Sequence, residues 1–122
     1  MIVVTTRFSV PEGRESDFEQ RLRTALQALE RPPGLIRNEV LRPCALRFDP
    51  RQGQFAPEPR RALRYELKTW WRNLQDFEDW AQKLEGSARA GSEQGALREA
   101  FVAAESLEVH EVFLEFPRSG QR

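Results

Sequence analysis

The hydrophobic positions of this 122-residue chain change period along its length, and the changes divide it into elements. Between residues 2 and 10 the side chains alternate, with Ile2, Val4, Thr6 and Phe8 on one side and Val3, Thr5, Arg7 and Ser9 on the other, which predicts a strand. Pro11, Glu12 and Gly13 break that pattern. Phe18, Leu22, Ala25, Leu26 and Leu29 then recur at three and four residues, the apolar stripe of an amphipathic helix, and Arg31, Pro32, Pro33 and Gly34 stop it. An extended segment is expected from Leu35 to near Arg42, and Pro43 confines any continuation toward Phe48 to an edge or a bulge. Residues 49–61 concentrate proline, glycine and charge and predict a long, mobile hairpin loop.

The sharpest change of period falls within residues 65–84. Tyr65, Leu67, Thr69 and Trp71 lie two apart, opposite Glu66, Lys68 and Trp70, and predict a second long strand. From Leu74 the spacing becomes helical, through Phe77, Trp80, Ala81 and Leu84, with Asn73 placed to cap the helix and Asp76 to favour the positive end of its dipole. Gly86, Ser87, Gly91 and Ser92 interrupt regular structure, and a short extra helix is expected over 92–104, carrying Leu97, Ala100, Phe101 and Ala104. Residues 107–116 predict the last strand, with His110, Val112, Leu114 and Phe116 on one face, and 117–122 form a frayed tail.

This order gives an α+β domain over residues 1–116 of the ferredoxin-like, split βαβ kind: a four-stranded, mostly antiparallel sheet with its helices on one face. Two helices cover only that face. Val3 and Trp70, on the other, are expected to meet a second copy of the chain in a homodimer.

Charge narrows the partners. Lys plus Arg and Asp plus Glu both number 19, so no net field draws the chain to nucleic acid or to an anionic membrane. No stretch has the length or apolarity of a membrane span or a signal peptide, and the expected location is cytoplasmic. Cys44 is the single cysteine, which excludes an internal disulfide and reads as a buried small hydrophobe. His110 has no second ligand at metal-binding spacing, and Gly86, Gly91 and Gly95 do not form a phosphate loop, so neither a metal nor a nucleotide is expected.

The chemistry therefore rests on aromatic side chains and one histidine. A pocket between sheet and helices would be lined by Phe8, Tyr65, Phe77, Trp80 and Phe101, with the Thr6 hydroxyl beside them, and would suit a flat aromatic molecule. The same aromatics at helical spacing also serve as plain core. His110 is the natural general base for a phenolic proton, although a lone histidine between glutamates also reads as a surface residue. The Tyr65 hydroxyl could steady the resulting phenolate or simply belong to the core.

The run TTRFSVPEG at 5–13, the Pro33–Gly34 pair, and above all Trp71 followed by Phe77 and Trp80 resemble the antibiotic biosynthesis monooxygenase family. The resemblance covers most of the chain outside 49–61 and 85–105. It implies a dimeric α/β barrel and metal-free, flavin-free oxidation of phenols to quinones, for which the residues themselves offer His110 and Thr6 as catalytic candidates. One branch of that family degrades haem with an asparagine, a tryptophan and an iron-ligating histidine. Carried over, those positions fall on Thr6, Trp80 and Ala90, of which only the tryptophan is kept. The resemblance thus implies a monooxygenase without cofactor acting on a small aromatic or phenolic molecule. The alternative is a non-enzymatic member of the fold that binds an apolar ligand or serves an interaction role.

Overall fold

A computed structural model describes residues 1–27, 31–44, 46–58, 62–87, 98, 100 and 103–116. Its frame is the pairing of β1 (Ile2–Pro11) with β5 (Ala62–Trp71), antiparallel from Ile2 opposite Trp71 to Pro11 opposite Ala62. β2 (Leu35–Leu41) flanks β5, and β6 (Ser106–Glu111) flanks β1, giving the order β2-β5-β1-β6 with every neighbouring pair antiparallel. Helix α1 (Glu15–Gln27) joins β1 to β2, and α2 (Leu74–Ser87) joins β5 to β6. Each crossover therefore skips one strand, which is the split βαβ arrangement expected from the element order.

Alternation decides the faces. Ile2, Val4, Thr6, Phe8 and Val10 are buried under the helices, and register places Tyr65, Leu67, Thr69 and Trp71 with them. Two centres of packing share that face: Phe8, Val10, Tyr65 and Leu67 beneath α1, and Ile2, Val4 and Trp71 beneath α2. The start of α2 follows the sequence closely, because the Asp76 amide donates to Asn73 Oδ1 at 2.9 Å, as a capping residue requires.

The opposite face differs from expectation. Val3 and Trp70 are half-buried there, among charged groups rather than within an apolar patch. Arg7 reaches Glu108 at 2.9 Å and Glu66 at 3.8 Å, Lys68 donates to Thr5 Oγ1 at 3.1 Å, and the Arg37 guanidinium lies 3.9 Å from the centre of the Trp70 ring. Such a face gains less from apolar burial than a bare hydrophobic one, since its ions lose hydration when covered.

Three further differences have local causes. Most of the expected loop is ordered: β3 (Leu46–Asp49) and β4 (Gln54–Pro57) form a separate two-stranded ribbon, with Phe48 and Phe55 edge to face at 5.2 Å. Its turn closes through the Gly53 amide, which donates to the Asp49 carbonyl at 2.8 Å. The last strand stops at Glu111 rather than Phe116, leaving Phe113, Leu114 and Phe116 strongly exposed. Cys44 is exposed rather than buried, because it follows Pro43 in the connection that leaves the sheet after β2. Leu29, Ala90, Leu97 and Phe101, most of the expected 92–104 helix, and the 117–122 tail lie outside the described residues. Among the described residues no helix is long and apolar enough to cross a membrane.

Candidate functional site

Sheet parity separates the expected catalytic residues. Thr6 is buried on the helix-covered face. His110 pairs with Val3 on the other face and is exposed, so the sheet itself stands between the two side chains. The pocket expected over Phe8, Tyr65, Phe77 and Trp80 is divided in the same way. Phe8 borders a cavity of about 570 Å³ between α1 and the pair Ala100 and Ala103, Tyr65 one of about 510 Å³ between α1 and β2, and Phe77 with Trp80 one of about 200 Å³. Packed core lies between them: Trp80 stands 5.4 Å from Trp71 and 6.1 Å from Phe77, ring centre to ring centre, and the Trp71 indole donates to Thr69 Oγ1 at 2.9 Å.

The polar centre on the helix side is one that sequence reading did not single out. Tyr65, buried beneath α1, donates its hydroxyl to Glu19 Oε2 at 2.5 Å. Arg42 closes on the same carboxylate with two nitrogens, Nε to Oε2 at 3.0 Å and Nη2 to Oε1 at 2.5 Å. Glu19 is drawn from α1, Arg42 from the chain just after β2, and Tyr65 from β5, so only the tertiary fold unites them. The available signal was local to the helix: Glu19 and Arg23 are one turn apart beside the apolar stripe, and both guanidinium groups hold the Glu19 carboxyl below its usual range. The hydrogen bonds from Arg42 and then Tyr65 are the main causes.

Burial, followed by the hydrogen bond to Glu19 and its negative charge, pushes the Tyr65 phenol up to about 12. Tyr65 is the sole tyrosine, so the phenolate absorbance of the folded protein should titrate near that value instead of near the ordinary 10. Glu19→Gln should bring the midpoint only part of the way back, because burial remains. A midpoint near 10 in the folded wild-type protein would show that the hydroxyl is neither buried nor bound. The sign for stability follows from linkage: a phenol raised in the folded state supports folding fully below pH about 10, and that support is lost as pH rises toward about 12. The lowered Glu19 carboxyl acts oppositely, its contribution being lost as pH falls through its folded-state value.

Among the described residues no group of three or more His, Cys, Asp or Glu side chains is placed to hold a metal ion. The cavity beside Phe8 is walled by Phe18, Leu22 and Ala25 and carries Ser9, Gln20, Arg21 and Thr24 as its polar lining, with no carboxylate or histidine among the described residues. Chemically it can enclose an aromatic body and present one cation.

Two structures of MhuD are among the solved structures similar to this chain. A single-substitution variant with two manganese protoporphyrin IX molecules bound per active site is 27% identical, covers 97% of this chain and 100% of its own, and superposes with a TM-score of 0.65. The haem degrader MhuD from Mycobacterium tuberculosis with two haems bound, at 23% identity, TM-score 0.58, and coverage of 95% and 98%, shares the fold. No curated protein sequence matches the chain. The family model described as antibiotic biosynthesis monooxygenase matches residues 1–115, nearly the whole length, in agreement with the resemblance carried by Trp71, Phe77 and Trp80. The chain belongs to the antibiotic biosynthesis monooxygenase family.

Proposed function

We propose that this protein is a monooxygenase that oxidises a small aromatic or phenolic molecule without a bound cofactor, the substrate lying on the helix side of the sheet. The observation that carries this reading is the cavity of about 570 Å³ at Phe8, Phe18, Leu22 and Ala25, within a chain matched by the family model over residues 1–115. Cavities of this size suit single drug-sized aromatics, held mainly by apolar burial.

Haem, which the MhuD structures contain or mimic, fits these residues poorly. The sole histidine, His110, faces away across the sheet, and the iron ligand of haem-degrading relatives, carried over without gaps, falls on Ala90, which has no donor atom.

The described lining residues include no base, so in this reading the substrate's own acidity releases the proton, and Arg21 supplies the positive charge that favours the phenolate. The phenolate then gives electrons to dioxygen. One oxygen atom enters the ring carbon para to the hydroxyl, the other leaves as water with the two displaced hydrogens, and a phenol plus dioxygen becomes a quinone plus water. Walls of phenylalanine and leucine hold the ring for that encounter.

Separation of Thr6 from His110, and the packing of Trp80 against Trp71 as core, favour a second reading in which the chain binds an apolar ligand without transforming it. Oxygen uptake distinguishes the two. Screened against quinols and anthrones without added cofactor, the enzyme should consume oxygen, with a pH profile that follows the hydroxyl of each substrate and is unchanged in His110→Ala. Saturable binding with uptake at background for every compound would leave only the binder. A homodimer accompanies either reading, supported by the exposed Phe113, Leu114 and Phe116 and by the Phe48–Phe55 ribbon more than by the charged sheet face. Sedimentation of a monomer at micromolar concentration would remove it.

A further inference from the structure

The cavity of about 510 Å³ between α1 and β2 has a lining unlike its neighbour's. Leu22, Leu26 and Val40 make apolar walls, and Glu19, Arg23 and Arg42 supply its ionisable groups. One carboxylate against two guanidinium groups leaves this cavity positive, in a chain whose formal net charge is zero. The Glu19 carboxylate is already engaged: Oε1 takes a hydrogen bond from Arg42, and Oε2 takes one from Arg42 and one from Tyr65. Arg23 has no carboxylate in salt-bridge contact among the described residues, and Arg42 engages Glu19 through Nε and Nη2, leaving Nη1. What the cavity offers an entering molecule is apolar wall and spare cationic donors, with the Gln27 amide at its edge.

We infer that this cavity is a binding site for an amphipathic organic anion, an aromatic carboxylate or sulfonate in chemical class. Its charged group meets Arg23 and the free edge of Arg42, while its apolar body lies on Leu22, Leu26 and Val40. Planar guanidinium groups match the two oxygens of such a head group, and a charge-assisted pair beside apolar walls gains over the same pair in open water. The site is distinct from the cavity at Phe8, with which it shares only the Leu22 wall. It stands whether or not the protein oxidises anything.

Two fluorescent probes of nearly equal shape test it: anilinonaphthalene sulfonate and its uncharged parent, phenylnaphthylamine. The wild-type protein should bind the sulfonate about tenfold more tightly than the neutral probe, the margin expected when charged hydrogen bonds are gained. Arg23→Gln should abolish that margin and leave the neutral probe unchanged, and added salt should weaken the sulfonate alone. Because Tyr65 is the sole tyrosine, its ring resonances should shift as the sulfonate binds, locating the probe at this cavity and not at the exposed phenylalanines. Equal affinities for the two probes, a preference that survives Arg23→Gln, or Tyr65 resonances that stay in place would each overturn the assignment. None of these outcomes depends on oxygen uptake, so failure here and failure of the oxygenase reading are separable.

Discussion

Trp71→Ala should destabilise the protein by about 3–5 kcal/mol, a large part of the margin by which a domain of this size is stable. Trp71 is 1% exposed and is among the largest fully buried side chains. Its ring meets Phe77 edge-on at 5.5 Å and Trp80 at 5.4 Å, so one side chain fixes the end of β5 against the first turns of α2. Truncation would leave a cavity that the surrounding β-branched strand residues, with few rotamers, cannot collapse to fill. Trp71→Phe keeps much of that volume but takes the indole donor from Thr69, and should cost about 1–2 kcal/mol. Trp70→Ala, one residue away on the other face, removes a half-buried ring that touches the Arg37 guanidinium, and should cost about 1 kcal/mol or less. Denaturant midpoints of the three variants decide the matter. Equal losses at Trp70 and Trp71 would contradict the assignment of the two faces.

That assignment was legible in the sequence because period-two alternation runs without interruption through Ile2 to Val10 and through Tyr65 to Trp71. The join at Asn73 was legible for the same reason, since the period changes within two residues and a capping side chain marks the place. His110 was a different problem. Nothing within β6 says which face a residue takes; parity follows only from pairing with β1, where Val3 fixes it. The ribbon at 46–57 was hidden by its own composition, because strands of four residues, joined through Pro50 and Gly53 and ending on Pro57, carry more turn signal than strand signal. The group of Tyr65, Glu19 and Arg42 could not be read at all from spacing, since its members come from three elements. A burial ledger from sequence would have counted Tyr65 as core, and in position it is core. Its chemistry comes from the one polar atom that reaches past the sheet to α1.

The second large effect is expected at Gly34, which occupies the left-handed region at φ 86° just before β2. Its carbonyl accepts from the Arg72 amide at 2.8 Å, so it joins the start of one strand to the end of another. A Cβ built there would lie 2.1 Å from Asp76 Oδ2 and 2.7 Å from Asp76 Cβ. Rotation of the carboxylate cannot relieve the second of these contacts. Asp76 is itself held, its amide by Asn73 and its carboxylate by Arg72 Nε at 3.0 Å. Gly34→Ala therefore combines a backbone cost with displacement of the first turn of α2, together about 2–4 kcal/mol. Gly13 is the internal control. It has a similar φ of 91° with nothing within 4 Å of the added carbon, so Gly13→Ala should cost only the backbone part, about 1 kcal/mol. The difference between the two variants measures how tightly Gly34 and Asp76 are locked together. Equal destabilisation would mean that the helix start yields freely, and that Phe77 and Trp80 are held by Trp71 alone and not by the turn that launches them.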